Sequence, residues 1–211
     1  MKTALNIVFA IIIVVLAYFL VESIMKPIRF NKEKDIREAA VKERLIDIRT
    51  AQEAFKSVKG RYTGSFDTLV TFLKTDSLPL VFKRGSLTDE MIAEGITSER
   101  EAVKKGLISR DTSYIAVRDS VFDKNYPIDQ LRYVPGLEKT EFQMAASTVM
   151  TTSMVLVNVF EAYVLNDVFL ADLDRQLVVN YNDQRTKITG FPGMKVGDIR
   201  VPNNNAGNWE D

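Results

Sequence analysis

The residues from Ala4 to Met25, ALNIVFAIIIVVLAYFLVESIM, constrain this chain more than any other stretch. No charge interrupts them between Ile7 and Val21. Wound as a helix at about 1.5 Å per residue they reach roughly 33 Å, the thickness of a bilayer's hydrocarbon core. The sequence therefore predicts a membrane anchor ending at Ala4 and Met25, in contact with lipid. Lys2 precedes it, and Lys26 and Arg29 follow. Tyr18 and Phe19 lie toward the second interface, where amphipathic rings are favoured. The run is longer than the ~7–15-residue core of a cleaved signal peptide. The VESIMKPIRF that follows holds no Ala-x-Ala site, so the anchor is expected to stay uncleaved.

Composition then removes most chemistry. The 211 residues contain no His and no Cys. That excludes disulfides, thiol chemistry, Cys-ligated clusters, imidazole acid–base catalysis and His-ligated zinc or haem. Lys plus Arg and Asp plus Glu both number 28, so the chain lacks the basic excess of a nucleic-acid binder. No nucleophile–base pair stands at a recognisable spacing, and Gly190, Gly193 and Gly197 read as turn glycines, not a phosphate loop. The expectation is a protein without enzymatic activity and without a cofactor.

Beyond the anchor, Pro27 is placed to kink a helix or to open a new one, with Asn31 as the cap of the second. From Lys32 to Lys59 no Gly or Pro interrupts. Val41, Leu45, Ile48, Phe55 and Val58 fall on one face, widened by Ile36, Ala40 and Ala51, and Glu38–Lys42 is a favourable i, i+4 pair on the wet side. Gly60 supplies a left-handed stop, and Ser65 caps a short helix through Leu73.

The remainder reads as mixed and mostly extended. Leu78–Gly85 and Ser113–Phe122 are strand-like, Asp89–Gly106 is partly helical, and Lys139–Val164 resembles two strands joined near Thr151–Ser153. Asp167–Arg185 fits a helix, and Phe191 onward reads as turns. The organisation expected is an anchor and junction over 1–30, then a single α+β soluble domain over 31–211.

This arrangement resembles a bacterial type IV pilin or type II secretion pseudopilin. The residues that carry the resemblance are the anchor, Pro27 at its junction, and the helix ending IDIRTAQEAFKSVKGRYTGSFDTL, where Ala51, Ala54 and Phe55 precede Gly60, Tyr62 and a short helix. The resemblance implies a transmembrane helix continuing into an amphipathic helix packed on a mostly antiparallel sheet. It implies a structural or assembly component of an envelope complex, with protein partners and possibly further copies of itself. The alternative is a membrane-anchored ligand-binding or sensory domain.

Two arguments about orientation conflict. Lys26, Arg29, Lys32, Lys34, Arg37, Lys42 and Arg44 follow the anchor, and such an excess marks the cytoplasmic side. The resemblance implies a bacterial inner-membrane protein with its domain exported. The cations are spread over several helical turns, away from the membrane surface, so export is the expectation. Glu22 is a boundary residue or a partner for a neighbouring subunit's cation. Trp209 either docks on a partner or folds back on its own domain. Asp119, Asp123, Asn125 and Asp129 form an oxygen-rich run whose spacing does not match an EF-hand, and it reads as a solvated turn.

Overall fold

The computed structural model describes residues 2–84, 86, 88, 92, 98–106, 109–137 and 139–210. Its first element is α1 (Lys2–Lys59), a helix with Pro27 inside it. Proline has no N–H to give the carbonyl four residues back, so the turn at Ser23 forgoes one bond. The helix continues nonetheless, so Asn31 is an exposed helical residue and not the cap of a second helix. Gly60, at φ 72°, ends α1 in the left-handed region, and its N–H reaches the Lys56 carbonyl at 2.8 Å.

The chain is a mixed α+β structure with small antiparallel sheets, and it groups into two compact units. One comprises residues 50–129. It holds the end of α1, α2 (Phe66–Thr75), β1 (Ser77–Arg84), α3 (Glu99–Lys104), β2 (Ser109–Ala116) and α4 (Val117–Val121). β1 and β2 pair antiparallel from Ser77↔Ala116 to Arg84↔Ser109. Ser65 caps α2 by accepting from the Thr68 N–H, as its sequence predicts. Phe55 and Phe72 meet edge to face at 5.0 Å, over a core that includes Leu69 and Leu73. Gln52 is fully buried there, and its side chain both accepts from the Thr63 N–H (3.1 Å) and donates to the Thr63 carbonyl (2.6 Å).

The strand expected over Ser113–Phe122 stops at Ala116, and Val117–Val121 turns helical. Part of the helix expected over Asp89–Gly106 is α3; residues 89–91 and 93–97 lie outside the described residues.

The other unit comprises residues 1–49 and 130–211. Its sheet is ordered β3-β4-β5, with β3 (Gln143–Met150), β4 (Leu156–Leu165) and β5 (Gly193–Gly197). β3 and β4 form the hairpin expected around Thr151–Ser153, in register from Gln143↔Tyr163 to Met150↔Leu156. The central strand β4 buries Phe160, Ala162 and Val164. From α1, Phe30, Val41, Leu45 and Ile48 are buried in the same unit.

The predicted helix over Asp167–Arg185 is two pieces, α5 (Asn166–Phe169) and α6 (Arg175–Thr189). Asp174 restarts the second by accepting from the N–H groups of Gln176 and Leu177. The segment read as closing turns contains β5. Its glycines serve the sheet: a Cβ on Gly197 would lie 2.2 Å from the Phe160 carbonyl oxygen, and one on Gly193 2.3 Å from that of Val164.

Candidate functional site

The candidate site is the face α1 presents along its length, because its large apolar side chains pass from exposed to buried partway. Among the described residues one helix is long and apolar enough to cross a membrane, and its apolar stretch is wholly unburied. Ile13, Leu16 and Leu20 are 65%, 62% and 66% exposed, whereas Leu45 and Ile48 are 0% exposed. Ala4 and Met25 both lie inside the helix, so they bound a composition and not an element. Glu22 has its cation in its own chain: Arg29 comes within 3.7 Å, on the same helix.

Past the junction, α1 is tied to residues 130–211 of the same unit by polar contacts. Arg37 donates to both carboxylate oxygens of Asp172, one at 2.8 Å, to the Phe169 carbonyl at 2.9 Å and to Glu33 at 2.8 Å. The hydrogen bond to Asp172 holds the guanidinium's pKa above its ordinary value, and the same bond holds the Asp172 carboxyl below the usual carboxylate range. Lys34 lies 4.6 Å from the Tyr181 ring centre, and the Tyr181 hydroxyl donates to Glu38. Burial and then that carboxylate raise the Tyr181 hydroxyl's pKa. Arg44 donates to the Gln130 carbonyl, and Arg49 meets Glu210 at 2.7 Å. The predicted Glu38–Lys42 pairing is displaced: Glu38 takes the Tyr181 hydroxyl, and Lys42 sits 5.8 Å from the centre of the Trp209 ring. Ile36, expected on the buried face, is 57% exposed.

Trp209 is half-buried on its own unit. The chain end is held there by β-type bonds: Gly197 N–H to the Ala206 carbonyl (3.0 Å), Asn208 N–H to the Lys195 carbonyl (3.0 Å) and Lys195 N–H to Asn208 Oδ1 (3.1 Å). Val196 and Gly207 form an antiparallel bridge. Burial works to raise the Glu210 pKa, but the Arg49 guanidinium and the Gly207 N–H outweigh it and hold the carboxyl low. Asp198 follows the same pattern, with Lys195 at 2.7 Å and backbone N–H groups overcoming burial.

Three of the surface grooves are formed by described residues. One of about 430 Å³ runs beside Ile36, Ala40, Leu137 and Phe169, and its charged residues Arg37 and Asp172 are paired with each other. One of about 560 Å³ lies against Arg44 and Tyr133. The third, about 690 Å³, lies in the 50–129 unit, where Lys59 and Asp76 form an ion pair at 2.6 Å. Among the described residues no three acidic side chains gather as a metal site. Asp119 falls in α4, and Asp129 pairs with Lys74 at 2.6 Å. Asp172 and Asn166 carry structural roles that sequence reasoning did not assign. Asn166 is fully buried and donates to Asn182 at 2.9 Å. No protein-family model, curated protein or solved structure matches this chain.

Proposed function

We propose that this chain is a single-pass membrane protein without enzymatic activity, a structural or assembly component of a bacterial envelope complex, with its α+β domain outside the cytoplasm. The observation that carries the reading is the change of solvent along α1 without a break in the helix. One half offers apolar side chains outward on all sides, and the next half is stitched into the 130–211 fold. A helix of this design transmits position from a membrane to a folded body, which suits a scaffold better than a catalyst.

The fate of the basic residues supports the exported orientation. Five of the seven cations after the anchor have partners that account for them: Arg29 on Glu22, Lys34 on Tyr181, Arg37 on Asp172, Lys42 on Trp209 and Arg44 on Gln130. Arg37 stands about 18 Å up the helix from Met25 at 1.5 Å per residue, beyond two Debye lengths at physiological salt. These charges serve the fold, and their vote for the cytoplasm is discounted accordingly. The pilin-like reading draws on the same helix and on the antiparallel sheet in the same unit.

The test is a pair of fusions after Asp211 in a bacterial host, one to a reporter active only outside the cytoplasm and one active only within it. The exported reporter is expected to be active. Activity of the cytoplasmic reporter alone would overturn the exported orientation and the pilin-like reading with it.

A further inference from the structure

Two of the seven cations that follow the apolar run are left over, Lys26 and Lys32. Both are exposed on α1, and neither bonds or pairs with another described residue. The acids around them are already taken. Glu22 faces Arg29 at 3.7 Å, Glu33 holds Arg37 at 2.8 Å, Asp35 holds Lys34 at 2.9 Å, and Glu38 accepts from the Tyr181 hydroxyl. From Glu22 to Glu38 the helix therefore offers these two ammonium groups no free carboxylate.

Their height along the helix says where a counter-charge would come from. At about 1.5 Å per residue, Lys26 stands about 1.5 Å past Met25 and Lys32 about 10 Å past it. The headgroup layer of one leaflet is about 5–7 Å deep. Every Cα–Cβ bond of a helix tilts toward its N-terminus, and here that is toward the apolar run, so both lysine stems start back toward that layer. The four-carbon stem spans what remains for Lys32. Lys26 is flanked on the helix by Ile24 and Ile28, 56% and 53% exposed, the setting in which a lysine lays its stem along apolar surface and sends its charge to the interface. Arg37, about 18 Å from Met25, is out of reach of the layer, and it is the cation that Asp172 holds.

We infer that Lys26 and Lys32 bind the phosphates of anionic phospholipids in the leaflet where α1 leaves the membrane. The two lysines supply six N–H donors and two positive charges, and a phosphodiester headgroup supplies the acceptors and the negative charge. A zwitterionic headgroup carries its own cation beside the phosphate and gains less. The site depends only on α1 leaving lipid near Met25, so it stands for either orientation of the domain. It presupposes the anchored reading and adds to it a preference among lipids.

The test uses the full-length chain in phosphatidylcholine vesicles. The chain has no cysteine, so Asn31→Cys, an exposed position on α1, carries a single donor dye. Trace phosphatidylglycerol or phosphatidylcholine, labelled on an acyl chain, is the short-range acceptor. Energy transfer should report phosphatidylglycerol enriched about fivefold over phosphatidylcholine at the dye, the scale of one lysine–headgroup contact. Lys26→Gln with Lys32→Gln should bring the ratio close to one, and glutamine suits the helix as well as lysine does. Lys104→Gln with Lys139→Gln, two exposed lysines elsewhere in the chain, should leave the enrichment in place. Salt at about 1 M, where the Debye length is about 3 Å, should erase it. Inorganic phosphate replacing chloride at equal ionic strength should not. Equal transfer to both lipids overturns the site, and so does an enrichment that survives the Lys26/Lys32 variant or vanishes in the Lys104/Lys139 variant. Displacement by inorganic phosphate overturns the lipid as the ligand. A chain that stays off the vesicles overturns the anchored reading and the site with it, whereas a chain that inserts without a lipid preference overturns the site alone.

Discussion

The two halves of α1 share one secondary structure and one backbone geometry, yet they obey different rules. Between Ile7 and Ile28 the exposed residues are the large apolar ones: Phe9, Ile11, Val14, Phe19 and Ile24 all face outward. Between Phe30 and Ile48 the large apolar residues Phe30, Val41, Leu45 and Ile48 are buried, Ile36 is the exposed exception, and the other faces carry charge. What differs is the medium that each face meets, lipid for the first in our reading and the unit's own core for the second. The lesson is that an apolar residue's energetic role on a helix cannot be read from its helicity, and that substitutions in the two halves should fail in different assays.

The largest effect is expected at the buried stripe. Leu45 is fully buried, so Leu45→Asp both removes its apolar burial and places an unpaired charge in the core, at a cost of several kcal/mol, comparable to the whole stability of a domain. Trp209 is the single tryptophan, and it belongs to the same unit, so its fluorescence reports this region. Full-length Leu45→Asp in detergent should lose the cooperative thermal transition seen by Trp209 while staying in the membrane fraction of cells. A retained transition would mean that the stripe is not the core of this unit.

A smaller effect, in the opposite assay, is expected from Leu16→Asp. A carboxylate near the middle of a spanning helix costs about 2.5–3.5 kcal/mol of insertion free energy. The membrane-bound fraction should fall, and the Trp209 transition in detergent should stay where it was. A shifted transition with normal membrane partition would erase the distinction between the halves.

How far these features were legible in the sequence depends on how local their causes are. The long apolar N-terminal helix, the stripe at Val41, Leu45 and Ile48, the Ser65 cap and the β3–β4 hairpin each follow from local composition, from periodicity or from a single short-range bond. Of the two outcomes read at Pro27, a kink or a break with Asn31 as the new cap, the break did not occur, because losing one hydrogen bond does not end a long helix. β5 was hidden by its glycines, which look like turns but are required by the close approach of the β4 backbone. Asp172 and Gln52 were invisible for a different reason. Arg37 lies 135 residues from Asp172, and no spacing rule reaches that far. Gln52 sits on a helix face that reads as apolar and finds its partner, Thr63, only once Gly60 has turned the chain.

The smallest effect concerns the polar seam that binds the second half of α1, and it is read through pH. Tyr181 is half-buried, and its hydroxyl donates to Glu38, so Tyr181→Phe should cost about 1 kcal/mol near neutral pH. The sign of its pH dependence follows from the raised folded-state pKa. An unfolded tyrosine ionises near pH ~10, so the contribution is full below that pH and is lost as pH rises above it. Asp172, Asp198 and Glu210 have lowered folded-state values, so theirs is full above the ordinary carboxylate range and is lost as pH falls below about 4. Asp172 and Glu210 are exposed, which keeps their part small. Stability followed at Trp209 should therefore form a plateau with two shoulders. Tyr181→Phe should soften the alkaline shoulder and leave the acid one in place. If the variant instead steepened the alkaline loss, the hydroxyl would not be a donor to Glu38, and the seam would be held by its other contacts, Arg37, Arg44 and Arg49 among them.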